Sequence, residues 1–221
     1  MSRGRRAFIG LLAAGVVGTA AWLVFFSPVL GVRNVEIVGN LTVPTERIQQ
    51  QAAIEPLHPL ATVDLAGVQS RVLAIRQLAT AKVDRIWPGT LRIEVAEREP
   101  VAVVPVSGKV ALIDKDGVVI EIRDVGPPRL PVLKVDRPGA DDAATRAALQ
   151  VIASLPDVLQ GKVRQVRATT AEGVSLDLND GRTVVWGGSD RAADKARILT
   201  TLLRRKADVY DVSSPDVVTL K

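Results

Sequence analysis

The chain has 221 residues, a formal charge of +5 and no cysteine, which removes disulfides and thiolate metal sites from consideration. Arg3, Arg5 and Arg6 account for much of the positive excess, and no dense Lys/Arg patch interleaves with aromatics, so nucleic-acid binding has no support. Aromatics are few and Val recurs in alternating runs, which favours strands buried on one face.

The first predicted element is Ala7–Phe26, AFIGLLAAGVVGTAAWLVFF, without charge or proline. As a helix at ~1.5 Å per residue it spans ~30 Å, the hydrocarbon thickness of a bilayer. The arginines before it place residues 1–6 as a short cytoplasmic tail and the rest of the chain outside. Gly10, Ala14 and Gly18 recur every four residues and suit close packing against another membrane helix. Trp22 falls near the outer boundary. The rival is a cleaved signal peptide, with Thr19-Ala20-Ala21 as a small-x-small site. An ordinary signal has an apolar run of only ~7–15 residues, and cleavage there leaves Trp-Leu-Val-Phe-Phe as a greasy new terminus. The uncleaved anchor is preferred.

Asn34–Val38 alternates as a half-buried strand. Pro44 suits the first turn of a helix that carries Ile48 and Ala52 on one face. Asp64 can cap a second helix, with Leu65, Val68, Val72 and Ile75 as its apolar residues. Ala81–Ile86 and Leu91–Val95 form a hairpin, with Trp87-Pro88-Gly89-Thr90 read as a type II turn. Trp87 is expected to pack at the hairpin end, and Glu97 with Arg98 to link two domains electrostatically.

The order β-α-α-β-β matches the small polypeptide-transport-associated module, POTRA. The text VRNVEIVGN, then two helices, then VDRIWPGTLRIEVAEREPVAVV resembles the outer portion of FtsQ/DivIB bacterial cell-division proteins. The resemblance implies an α+β fold: an N-terminal transmembrane helix (7–26), a POTRA domain (31–99), then a mixed β-rich domain with helices (100–221).

Pro100 marks the boundary. Predicted strands follow at Val101–Val106, where Pro105 implies an edge or bulge, then at Lys109–Ile113 and Val118–Ile122. A Pro-rich connector, residues 126–138, carries one short strand, Val132–Val135. Asp141 or Asp142 starts a helix with Ala148, Leu149 and Ile152. Val163–Ala168 reads as a strand. Val174–Leu178 and Thr183–Trp186 form a hairpin through Asn179-Asp180-Gly181. Asp190 is expected to cap a helix to Lys206 that buries Ala192, Ala196, Leu199 and Leu203. Val209–Val212 and Val217–Leu220 close the chain as strands. This succession resembles the FtsQ β domain.

Chemistry-bearing residues are sparse. His58 is the only histidine, and no Ser stands in a Gly-x-Ser-x-Gly elbow. Asp114, Asp116 and Gly117 resemble part of a calcium loop, but Val125 stands where Glu is required. Gly187-Gly188 lacks the lysine of a phosphate loop. A serine-lysine protease of signal-peptidase type would use Ser27 at the membrane edge, yet Pro28 follows it and Lys109 looks solvated. A POTRA-type transport protein would need a transmembrane β-barrel, for which strands are too few. No catalysis, cofactor, metal or small-molecule substrate is expected.

In FtsQ relatives the last strand and preceding helix receive a segment of FtsB, coiled with FtsL. The resemblance thus implies a septal scaffold at the bacterial inner membrane, with FtsB and FtsL, and FtsW/FtsI-type synthases, as partners. Its partner-binding residues here would be Tyr210, Val212, Ser214, Val217, Val218, Thr219 and Leu220, with Arg197 and Arg204 facing acidic partner residues.

Overall fold

The structure is a computed structural model that describes residues 3–220, so Met1, Ser2 and Lys221, at the ends of the expected tail and β domain, lie outside it. Helix α1 runs Arg3–Phe26, beginning earlier than the apolar run because arginine is a good helix former. Its segment Phe8–Phe26 is long and apolar enough to cross a membrane, the one such helix among the described residues. The chain divides into two compact units, Met1–Glu97 and Arg98–Lys221.

In the first unit, β1 (Asn34–Val38), β2 (Leu78–Ile86) and β3 (Thr90–Glu97) form a sheet ordered β1-β3-β2. β1 runs parallel to β3, and β2 antiparallel to it. Helices α2 (Thr45–Ala52) and α3 (Leu65–Leu73) bury Ile48, Ala52, Val68 and Val72 in one core with Leu91, Ile93 and Val95. Asp64 caps α3, its carboxylate accepting from Gly67 N at 3.0 Å. Ion pairs Arg92–Glu36 and Lys82–Asp84 occupy sites that alternate with the buried residues of the strands.

Three expectations are corrected here. Ile86 pairs directly with Thr90, so the hairpin loop is three residues, Trp87–Gly89, rather than a two-residue type II turn. The Trp87–Pro88 peptide is cis. Trp87 is 50% exposed rather than packed away. Glu97 is held within its own unit: its carboxylate accepts the amides of Leu41, Thr42 and Val43 at 2.7–2.8 Å, and the Thr42 hydroxyl. Burial pushes its pKa up. The hydrogen bonds from Thr42, Val43 and Leu41 outweigh that and hold it down at about 2.

The second unit is a nine-stranded sheet. Its strands are β4 (Ala102–Val106), β5 (Lys109–Ile113), β6 (Val119–Arg123), β7 (Val132–Lys134), β8 (Val163–Ala168), β9 (Val174–Leu178), β10 (Thr183–Gly187), β11 (Val209–Asp211) and β12 (Thr219–Leu220). The order is β12-β11-β10-β9-β8-β7-β4-β5-β6. Helices α4 (Ala143–Ser154) and α6 (Ala192–Leu202) join the main core with inward residues such as Leu133, Val166, Leu176, Trp186 and Tyr210. Asp142, rather than Asp141, caps α4 through Thr145 N at 2.7 Å. A four-residue helix, α5 (Asp157–Gln160), lies between α4 and β8.

Pro105 does not place β4 at an edge, since β4 lies between β7 and β5. The proline is tolerated because β7 pairs with β4 only at Val103, short of Pro105. Arg98 bonds Asp114 at 2.5 Å inside this unit. Asp114 also accepts the amides of Asp116 and Val118, so it organises the hairpin turn.

Candidate partner-binding edge

β12 pairs with β11 alone, antiparallel, with Tyr210 opposite Leu220 and Asp211 opposite Thr219. Its outer side has no neighbouring strand among the described residues, and an edge strand of this kind leaves backbone N–H and C=O groups unpaired. The strand is shorter than the expected Val217–Leu220. The Val217 amide closes a turn on Ser214 O at 3.1 Å, and its side chain is 71% exposed. Val218 and Leu220 pack partly against the core, while Thr219 and Ser214 are exposed.

Tyr210 and Val212 are both fully enclosed. This corrects the expectation that their side chains face a partner: alternation along β11 turns Tyr210 into the core. They hold the edge in place from behind. The Tyr210 hydroxyl donates to Arg205 O at 2.6 Å and accepts from Arg182 Nη1 at 2.8 Å. The Arg182 guanidinium lies 5.4 Å from the Tyr210 ring centroid and donates to Leu203 O at 3.1 Å. Hydrogen bonds from Arg182 to Asp180 and Tyr210 raise the Arg182 pKa, and the Asp180 pKa is lowered by the same pair. Arg182 thus ties the β9–β10 turn, the end of α6 and β11 together. Val212 N continues the ladder to Val185 O at 3.0 Å.

The start of α6 departs from the sequence reading. Arg191, not Asp190, occupies the position before the helix, in left-handed conformation with φ 47° and no side-chain cap. Asp190 instead accepts from Lys195 at 3.1 Å, and this hydrogen bond lowers its pKa. Lys195 is wholly buried and also donates to Gly188 O at 2.9 Å. Sequence reasoning missed it, although it stands at i+3 in the series Ala192, Lys195, Ala196, Leu199, a buried-face spacing. A lysine stem packs as hydrocarbon, so it qualifies once its ammonium finds acceptors. Ala196 and Leu199 are buried as expected, whereas Ala192 and Leu203 are only partly so.

The helix stops at Leu202 rather than Lys206. The amides of Arg204 and Arg205 close a final turn on Thr201 O and Leu202 O. Arg197 is exposed and already pairs with Asp194 at 2.8 Å, and Arg204 is exposed. Arg191 donates to both carboxylate oxygens of Asp216, at 2.8 and 3.2 Å, connecting the α6 entry to the turn before β12. This pairing lowers the Asp216 pKa and raises that of Arg191.

Gly10, Ala14 and Gly18 are exposed along α1. A Cβ at Gly10 or Gly18 would meet open space, so both sites leave room for close approach. The residues of the protease alternative are otherwise engaged. Ser27 is buried, its hydroxyl accepting from Val29 N at 3.2 Å, and Lys109 pairs with Asp124 at 3.2 Å. His58 lies 3.2 Å from the Thr62 hydroxyl.

Residues 30–98 match the family model for the FtsQ-type POTRA domain, and residues 102–217 that for the C-terminal region of cell division protein FtsQ/DivIB. Cell division protein FtsQ of Mycolicibacterium smegmatis is 43% identical over 199 residues, covering 90% of this chain and 60% of that protein. Cell division protein FtsQ of Mycobacterium bovis is 39% identical over 220 residues, covering 99% and 70%. The solved major extracytoplasmic domain of the trans isomer of the bacterial cell division protein DivIB from Geobacillus stearothermophilus is 22% identical. Its TM-score is 0.37, and the match covers 50% of this chain and 98% of that one.

Proposed function

This chain belongs to the FtsQ/DivIB family of bacterial cell-division proteins, and from that membership we propose that it is a non-enzymatic, membrane-anchored scaffold of the division machinery. Helix α1 crosses the inner membrane once with its N-terminus in the cytoplasm, and both units work outside at the septum. The partner is a complex of FtsB and FtsL type, captured by strand addition on β12. Through it the scaffold reaches septal synthases of FtsW/FtsI type. Gly10, Ala14 and Gly18 supply a packing face for a second membrane helix.

The observation that carries this reading is the one-sided pairing of β12 at the end of the nine-stranded sheet. An added strand gains affinity from backbone hydrogen bonds and selectivity from alternate side chains. Val217, Val218, Thr219, Leu220 and Ser214 line that edge, with the exposed Arg197 and Arg204 available for acidic residues of the partner. Tyr210 and Val212 contribute by fixing the strand behind it.

The test is capture in cells. A photo-crosslinker at Val218 is expected to trap an FtsB- or FtsL-type protein, and deleting Asp216–Lys221 to abolish that capture while membrane insertion persists. Unchanged capture by the deleted chain overturns the proposal.

A further inference from the structure

Three exposed apolar residues of the first unit, Val29 at 57% exposure, Leu57 at 51% and Trp87 at 50%, stand on segments whose backbones converge where α1 joins it. They come from three separate segments, and Gly31 is their meeting point. Ser27 caps a one-turn 3-10 helix, Pro28–Leu30, and Gly31 N bonds back to Pro28 O at 3.1 Å. Gly31 then bridges Pro59, while Val32 exchanges hydrogen bonds with His58 O and Leu57 N, both at 2.9 Å. The hairpin arrives from the other side: Gly89 O accepts the amides of Arg33 and Asn34 at 2.8 and 3.2 Å. A Cβ on Gly31 would collide with the Leu57 backbone, and one on Gly89 would meet Gly31 O at 2.9 Å.

We infer that this pole of the first unit docks on the bilayer surface, with Val29, Leu57 and Trp87 in the headgroup zone of the outer leaflet. The inference rests on the reading that α1 spans the membrane. Gly31 follows Phe26 by five residues. Fully extended these reach at most ~18 Å, and the 3-10 turn shortens that. The hydrogen bonds hold the cluster to this short tether, so it stands within reach of the headgroup layer. An amphipathic indole belongs at that depth, and Leu and Val lose less there than in water. Arg33 is exposed and donates to Val29 O at 2.6 Å, which sets a cation beside the cluster to meet lipid phosphate. The acidic group nearby, Glu55, stands 3.9 Å from His58. A lipid surface is thus favoured over a protein partner by continuity with the anchor.

The absence of cysteine makes a direct test possible. The full chain is reconstituted in phosphatidylethanolamine–phosphatidylglycerol vesicles as single variants Leu57→Cys and Trp87→Cys, each spin-labelled. Val16→Cys reports on α1. Leu41→Cys, at the opposite end of β3 from the hairpin and ~25 Å away by strand rise, reports on water. Collisional access to oxygen relative to a nickel chelate gives depth. Labels at 57 and 87 are expected to show a ratio several-fold above that at 41 and below that at 16. Ratios at 57 and 87 equal to that at 41, with a lipid-like value at 16, overturn the docking and leave the span intact. A water-like value at 16 overturns the span and the docking with it. All four positions are exposed, so the labels do not enter a core.

Discussion

Arg191 and Asp216, 25 residues apart, meet through two parallel hydrogen bonds of 2.8 and 3.2 Å that fasten the turn before β12 to the entry of α6. The pair is exposed, so it contributes little to global stability. Its effect falls on the local order of the edge. Asp216→Ala is expected to leave Tm nearly unchanged and to weaken FtsB/FtsL-type capture several-fold. The exchange Arg191→Asp with Asp216→Arg should restore part of it. Scanning calorimetry beside a titration with the partner checks both.

Arg182 is a second fastening point, and here the cost is structural. Arg182→Ala removes contacts to Tyr210, Leu203 O and Asp180, and should destabilise by about 1.5–3 kcal/mol, the range for hydrogen bonds to charged groups. Arg182→Lys is not expected to rescue it, since an ammonium lacks the planar fork that serves three partners. A double-mutant cycle with Tyr210→Phe in urea should return a coupling of about 0.5–3 kcal/mol.

Lys195 offers a choice between two magnitudes. Removing one partner of a buried pair costs about 3–5 kcal/mol when the survivor stays buried and charged. Asp190 does not, because its side chain is 68% exposed and rehydrates. Lys195→Met therefore leaves mainly the Gly188 carbonyl unpaired, an expected loss of about 1–3 kcal/mol by chemical denaturation. Lys195→Ala should cost more, through the cavity left by the stem.

Glu97 gives the first unit an acid-sensitive tie. Its folded pKa, about 2, lies below the ordinary 4.5. The contribution is complete above 4.5 and is lost as pH falls from there through 2. Wild-type stability should drop over that window, and Glu97→Ala should flatten the drop while lowering stability at neutral pH. Amide exchange at Leu41, Thr42 and Val43 should quicken in the variant.

Much of this architecture is legible in the residues. Alternation gives the strands, Asn179-Asp180-Gly181 gives a hairpin, and Asp64 and Asp142 announce helix starts because short carboxylates reach the second or third amide beyond them. The misses share a cause. Asp190 has the same chemistry, but left-handed Arg191 intervenes and Lys195 offers a stronger partner inside the fold. Glu97 reads as a charge between domains because its three amide donors lie more than fifty residues upstream. At the candidate edge, the sequence marks the last strand. It does not reveal that Tyr210 and Val212 face inward, since the segment is too short for its phase to be read.

Gly31 has a mechanical meaning. It is pinned between the Leu57 backbone and Gly89, with hydrogen bonds on either side, so the joint below the small sheet behaves as a weld. A tilt of α1 is therefore passed on as rotation of that sheet instead of being absorbed by a pivot, and squeezing the lipid layer would steer the unit like a rudder on its post.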